Sequence, residues 1–360
     1  MKRDAVKLVL PGLLITFALI LLTGLFNLYS ATRVSMPAAF WKQIIWIVAG
    51  LIISAPFVLI DYRIITRLAP GIWAFVVLML SLVWFFPSIK GSHRWIDLGP
   101  INLQPSEFAK LAVIFAVSAS LADAPPDEPI KARKLIASLA YILIPVFLIA
   151  AEPDLGTSLL VLSAGMLVVF VGGISRRLIL ILFLLLAMAA PIVYNYGLQD
   201  YQKDRITSLL SGGDPKGAGY HAYQSLIAVG SGRVDGKGYL KGTQNQMRFV
   251  PEQHTDFVFA VFAEEFGFIG SVIFILVYVG FLIFSIMAAY TAREKFGMLL
   301  CAGISGMFLV HFFVNIGMVI NLLPVVGVTL SFMSYGGSAL LLSIISVALM
   351  VNVNLRRQNY

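Results

Sequence analysis

Residues 250–260 read VPEQHTDFVFA. A proline, two carboxylates and a histidine run straight into apolar residues. Asp256 stands between a threonine and Phe-Val-Phe-Ala. An ionisable group at the lip of a hydrophobic helix costs free energy unless it is paired, solvated or used. Glu252, His254, Glu264 and Glu265 lie close by in sequence. If these acids converge, mutual repulsion and a low dielectric raise a carboxyl pKa into the range of a general base. The plainer reading of Asp256 is a helix N-cap.

Two further clusters carry charge at or inside apolar stretches. In LQPSEFAKLAV, Pro105 and Ser106 suit a helix start. Glu107 and Lys110 are then three apart on one helical face, acid before base. They read as a structural ion pair, or as the wall of a polar cavity for a charged substrate. In AAEPDLGTSLL, Glu152 and Asp154 occupy a very short connection in which Pro153 and Gly156 enforce a turn. Asp154 reads as a cap for the next helix, and Glu152 has no such structural explanation. Lys90, His93, Arg94, Trp95 and Asp97 in KGSHRWIDLG, and Tyr335 to Ser338 in MSYGGSALL, could join the same face. The glycine pair in the latter suits close helix packing. On the residues alone, two classes fit a polar cavity that opens outward: an enzyme acting on a membrane-embedded lipid, and a transporter or flippase.

The elements that must position these groups are membrane helices. The chain is 59% hydrophobic and 12% charged, against about 25% charged in an average soluble protein. A span needs about 20 mostly apolar residues. Such runs lie near 8–29, 43–60, 70–87, 105–122, 135–151, 157–173, 178–196, 264–289, 297–321 and 330–353. The fold class expected is therefore all-α integral membrane, a single domain over 1–360 with ten spans. A large extracytoplasmic loop, 197–255, separates the seventh span from the eighth. Basic residues before the first span also fit a signal peptide. Its length, and the lack of a clear cleavage site in NLYSATRVS, favour a retained span.

With the N-terminus inside, fourteen basic residues from Lys2 to Arg357 fall on inner segments, and only Arg33, Lys42, Lys90 and Arg94 on short outer loops. Both termini are then cytoplasmic and Asp256 faces outward. The net charge of +8 reads as membrane anchoring and not as a nucleic-acid surface. One cysteine excludes an intramolecular disulfide, and four scattered histidines suggest no zinc site. GSGRVDGKG fails the spacing of a phosphate loop. Interleaved Tyr220, Tyr223, Leu226, Ile227 and Val229 predict a short helix packed on the membrane surface. A short helix or re-entrant piece is expected over about 256–263, with the span beginning near Glu264 and Glu265.

GSHRWIDLGPINLQPSEFAKLA, PDLGTSL, GYHAYQSLIAVGSG, GKGYLKGTQNQMRFVPEQHTDFVFAVFAEEFGFIG and NIGMVINLLPVVGVTLSFMSYGGSALL occur in that order, followed by a basic tail. Together they resemble the SEDS family of bacterial cell-wall glycosyltransferases. GTQNQ before FVPEQHTDF resembles its RodA branch, which serves elongation, more than its FtsW branch. The chain departs from the family at Glu152, where glutamine is usual, and at Arg233-Val234-Asp235.

The resemblance implies polymerisation of lipid II into peptidoglycan at the outer face of the bacterial cytoplasmic membrane. It implies Asp256 as the catalytic residue and Glu107 and Lys110 as cavity lining. Arg94, Glu152, Asp154, Arg248 and His254 are the further substrate-binding candidates. The implied partners are a class B penicillin-binding transpeptidase and other membrane proteins of the elongation complex. A divalent cation, Mg2+ or Mn2+, is implied without assigned ligands, and no organic cofactor. The expected chemistry is an inverting glycosyl transfer. Asp256 takes the proton of a sugar hydroxyl, and Lys110, Arg94, Arg248 or a metal offsets charge on a departing diphosphate. A lipid II flippase is the alternative, and a non-enzymatic scaffold for the transpeptidase a third reading.

Overall fold

Away from water, a long apolar run can satisfy its own backbone N–H and C=O groups only as a helix. The computed structural model follows that rule; it describes residues 2–87, 94–97, 102–125, 130–210, 219–247, 249 and 251–357. In chain order the helices are α1 (Lys2–Thr32), α2 (Pro37–Leu59), α3 (Arg63–Leu82), α4 (Pro105–Ala122), α5 (Ala132–Ala151), α6 (Leu155–Val171), α7 (Arg176–Ile192), α8 (Asp200–Leu210), α9 (Tyr220–Ser231), α10 (Thr243–Gln246), α11 (Val258–Thr291), α12 (Lys295–Val319) and α13 (Gly337–Arg356). One small antiparallel hairpin, β1 (Ile96–Asp97) with β2 (Asn102–Leu103), pairs Ile96 with Leu103 and leads into α4.

Among the described residues, eight helices are long and apolar enough to cross a membrane: α1 to α5 and α11 to α13. Leu155–Val171 and Arg177–Ala189 are shorter apolar helices at the sixth and seventh expected spans. The protein is an all-α membrane protein. Helices α4, α12 and α13 sit at its centre, and nearly every residue of α4 is buried. The outer helices expose apolar side chains such as Ile15, Ile52 and Phe75, as a lipid-facing surface requires.

Two expected boundaries move, each for a physical reason. The tenth span was expected from residue 330, but α13 begins at Gly337 and residues 320–336 are not helical. Irregular backbone survives in an apolar setting when protein groups bind its carbonyls. Here Arg205, Asn315 and His311 do so, at Val325, Val328 and Thr329 respectively. Gly156 lets α6 approach this segment closely, since a Cβ there would lie 2.2 Å from the Val326 carbonyl oxygen.

The eighth span was expected near residue 264, after a short piece over 256–263. The observed break is at Gly267, whose φ of 65° and ψ of −163° interrupt α11. This backbone conformation suits glycine alone. The break frees helix hydrogen bonds, and the glycine-rich stretch after α9 replaces them. The Phe268 and Ile269 N–H groups donate to the carbonyls of Arg233 (2.8 Å) and Val234 (3.1 Å). The Glu264 and Glu265 carbonyls accept from the N–H groups of Lys237 (3.0 Å) and Gly238 (2.9 Å). GSGRVDGKG is thus a strap around a broken helix.

The surface helix expected near Tyr220 is α9. It packs on α11 and α12, with Ser225 donating to the Val319 carbonyl at 2.9 Å.

A methyl group at Gly267 would lie 2.2 Å from the Gly236 nitrogen. Gly267→Ala should therefore cost more than about 1 kcal/mol, while Gly71→Ala, with open space around it, should not destabilise. Thermal unfolding of both variants in one detergent is the check; equal melting temperatures would refute the strap.

Candidate active site

Asp256 lies in the turn ahead of α11, and that turn is fixed by its backbone. The Asn315 amide donates to the Asp256 carbonyl at 2.8 Å and to the Val328 carbonyl at 2.7 Å. Ser334 donates to the Thr255 carbonyl at 2.6 Å, and the Tyr335 N–H to the His254 carbonyl at 2.8 Å. Gln253 reaches the Ala31 carbonyl at the end of α1, at 3.0 Å. The 320–336 segment, α1 and α12 therefore hold the turn from three sides.

The Asp256 carboxylate is not a cap. Helix α11 starts after Phe257 with no side-chain cap. The carboxylate faces Gly327 instead, where a Cβ would come within 3.5 Å of Oδ2. Burial and the Glu252 carboxylate push its pKa up to about 6, against a hydrogen bond from Thr255 and the Arg205 guanidinium, which pull it down. A carboxylate with this pKa is ionised at pH 7 and still basic enough to accept a proton.

The acids near Asp256 in sequence do not all converge on it. Glu264 and Glu265 sit at the far end of the 258–266 segment. Glu264, fully buried, pairs with Lys237 at 2.6 Å and accepts from the Gln244 N–H at 2.9 Å. Glu265 accepts from Ser30 of α1. These two acids hold the strap in place. His254 stays near Asp256 in the chain, its Nε2 4.0 Å from Glu252 and its ring 6.0 Å from that of Tyr335.

Glu107 and Lys110 form a buried pair at 2.8 Å on α4. Lys110 Nζ also lies 3.1 Å from His311 Nε2 on α12. With the 329–336 segment and α13, these residues line a small pocket. The pair is thus both structural contact and cavity wall.

Asp154 is a helix cap. It accepts from the Thr157 N–H at 3.2 Å and the Thr157 hydroxyl at 3.0 Å at the start of α6. Arg94 donates to the Glu152 carbonyl at 2.9 Å and to the Pro153 carbonyl, so it holds this turn. Glu152 is 1% exposed, and among the described residues neither of its carboxyl oxygens has a hydrogen-bond partner. Burial, then the Asp154 carboxylate, push its pKa up to about 8, with Arg94 opposing. At pH 7 Glu152 is therefore neutral, a carboxylic acid in place of a carboxylate. Arg248, Lys90 and His93 lie outside the described residues.

Three residues of the site went unrecognised in the sequence reading. His311 and Asn315 are four apart on α12, and polar side chains within an apolar span are the signal that marks them. Arg205 on α8 donates to the Val325 carbonyl at 2.8 Å and stacks over Tyr201. It sits in a polar stretch with no periodicity to single it out.

The implied divalent cation finds no ready ligand set. Among the described residues no three His, Cys, Asp or Glu side chains are grouped to hold a metal.

A polytopic helical protein with a basic carboxylate and a pocket lined by the buried Glu107–Lys110 pair is a recognisable class, and comparison places it. The family model of the FtsW/RodA/SpoVE cell cycle proteins matches residues 5–359, and the chain belongs to that family. The peptidoglycan glycosyltransferase MrdB of Escherichia coli K12 is 40% identical, over 88% of this chain and 86% of its own length. The peptidoglycan glycosyltransferase RodA of Treponema pallidum is 30% identical, over 96% and 97%. Among solved structures, a chain described under the structural coordination of polymerization and crosslinking by a peptidoglycan synthase complex superposes with a TM-score of 0.83, at 28% identity and 97% and 98% coverage. Thermus thermophilus RodA gives 0.71 at 28% identity, covering 96% of each chain.

The neutral state of Glu152 has a measurable consequence. Its folded pKa of about 8 lies above the ordinary 4.5. The stability it contributes is present below pH 4.5 and is lost as pH rises towards 8. Glu152→Gln should melt higher than wild type at pH 8.5, by a margin that shrinks towards pH 5. A margin independent of pH would mean that Glu152 is already ionised in the folded protein.

Proposed function

We propose that this peptidoglycan glycosyltransferase extends glycan strands from lipid II by an inverting transfer, with Asp256 as general base. The observation that supports the role is a half-buried carboxylate, free of capping duty, with its pKa pushed up to about 6. The acceptor is the 4-hydroxyl of a lipid-linked N-acetylglucosamine. The donor is the anomeric carbon of the growing strand, and undecaprenyl diphosphate leaves. As the hydroxyl oxygen bonds to the anomeric carbon, its proton passes to Asp256 and the bond to the diphosphate oxygen breaks. A positioned base contributes roughly 10²–10⁴-fold.

Charge on the leaving diphosphate calls for nearby cations. Arg205 lies close enough to Asp256 to lower its pKa, and Lys110 lines the adjoining cavity. Both can serve, whereas Arg94 is committed to backbone carbonyls. The site then faces outward on the cytoplasmic membrane, and a class B penicillin-binding transpeptidase is the fitting partner to crosslink the product.

Asp256→Asn should fold, melt near wild type and lose glycan polymer by at least about 100-fold, because an amide accepts no proton at neutral pH. Asp256→Glu should retain little, since one added methylene misplaces the carboxylate. Gel-resolved glycan made from lipid II by purified proteins is the readout. Near-wild-type polymer from Asp256→Asn would remove the base from this residue.

The orientation is tested by single cysteines in a Cys301→Ser background. Thr207→Cys on α8 should react with an impermeant maleimide in intact cells, and Lys131→Cys ahead of α5 should not. The reverse pattern would put Asp256 on the cytoplasmic face.

A further inference from the structure

Asp256 and the Glu107–Lys110 cavity are joined by one continuous line of contacts, and His311 is its middle link. Lys110 Nζ sits 3.1 Å from His311 Nε2. His311 Nδ1 sits 3.0 Å from the Thr329 carbonyl oxygen. One turn further along α12, Asn315 donates to the neighbouring Val328 carbonyl and to that of Asp256. Gly327, next in the same segment, is the residue that faces the Asp256 carboxylate. Lys110, His311 and Asn315 are all buried.

The chemistry of the contacts fixes the form of the imidazole. An ammonium group has three donors and no acceptor. Nε2 must therefore accept from Lys110, and the ring proton must sit on Nδ1, where it donates to Thr329. A neutral histidine of this one tautomer is the only form that satisfies both neighbours. In it the ring grips the cavity lysine with one nitrogen and the 327–329 segment with the other.

We propose that His311 is a positioning residue that ties the Lys110 cavity to the backbone segment lining Asp256, so that charge placed at Lys110 and the geometry at Asp256 are set together. The inference rests on the polymerase reading above. It assigns His311 no contact with substrate and no proton transfer to it. It predicts an effect on turnover through Asp256, with substrate affinity carried by other groups.

The test compares His311→Gln with His311→Leu in purified protein. A glutamine offers a carbonyl to Lys110 and an amide N–H to Thr329, so it restores both contacts; leucine restores neither. Wild-type polymer from lipid II must be seen first, and its absence would count against the function and not against this link. Given that activity, His311→Leu should lose at least about tenfold in kcat with KM changed less than about threefold. The acid limb of its pH–rate profile should shift from that of wild type. His311→Gln should stay within about threefold of wild type, with the limb in place. Wild-type kcat and an unshifted limb in a folded His311→Leu would overturn the proposal. So would a His311→Gln as impaired as His311→Leu. Should the leucine variant not fold, 15N NMR of wild type labelled at histidine decides. The proposal requires a protonated Nδ1 and a bare Nε2 for His311 at pH 7, and the opposite tautomer or an imidazolium there would overturn it.

Discussion

One side-chain amide holds the site together. Asn315, fully buried in α12, gives its two N–H groups to the carbonyls of Asp256 and Val328. Those carbonyls belong to two irregular segments, the turn before α11 and the stretch between α12 and α13. Each segment meets only part of its own backbone hydrogen bonding, and an unmet polar group in an apolar setting costs several kcal/mol. The fork solves both problems with one residue and sets the Asp256 turn against Gly327. The hydrogen bonds from Ser334, Tyr335 and Gln253 then remove the remaining freedom of the turn.

The acids around Asp256 divide their work by burial and partner. Glu264 has a lysine and backbone N–H groups, so it remains a structural anion. Glu152 is buried without any such partner among the described residues and gives up its charge. Asp154 is consumed by the start of α6. Asp256 is less deeply buried than Glu152, and Thr255 and Arg205 offset part of the push from burial and Glu252, which leaves it ionised yet basic. The same carboxyl group serves four ends, and the surroundings assign them. The Glu107–Lys110 pair sits inside the helix core at a desolvation cost that good geometry offsets, and His311 supplies a third contact to it.

Much of this was legible in the sequence, because apolar runs, proline-led helix starts and short-range charge spacing are local signals. The all-α membrane class with its eight long apolar helices, the short helix α9 and the i,i+3 pair of Glu107 and Lys110 follow from such signals. The gathering of Glu264 and Glu265 around Asp256 did not hold. Proximity in sequence says nothing about a helical segment that carries them two turns away. The break at Gly267 escaped notice because one glycine in an apolar helix looks ordinary until its φ is known. The start of α13 was misplaced for the opposite reason. Residues 330–336 run on from the apolar helix that follows without a marked break, and side chains distant in sequence, from Arg205, His311 and Asn315, help to make the irregular path of the segment before α13 affordable. Tertiary satisfaction of that kind leaves no local trace.

The central claim is that Asp256 acts as a base because its surroundings raise its pKa to about 6. The most direct measurement is the rate of glycan polymerisation from saturating lipid II between pH 4.5 and 8.5. A carboxylate base works only when ionised, so the rate must fall as pH drops through its pKa. The account predicts a single acid limb with a midpoint near 6, tenfold loss per pH unit below it, and a plateau above. A rate that stays level down to pH 4.5, where an ordinary aspartate is still ionised, would contradict it.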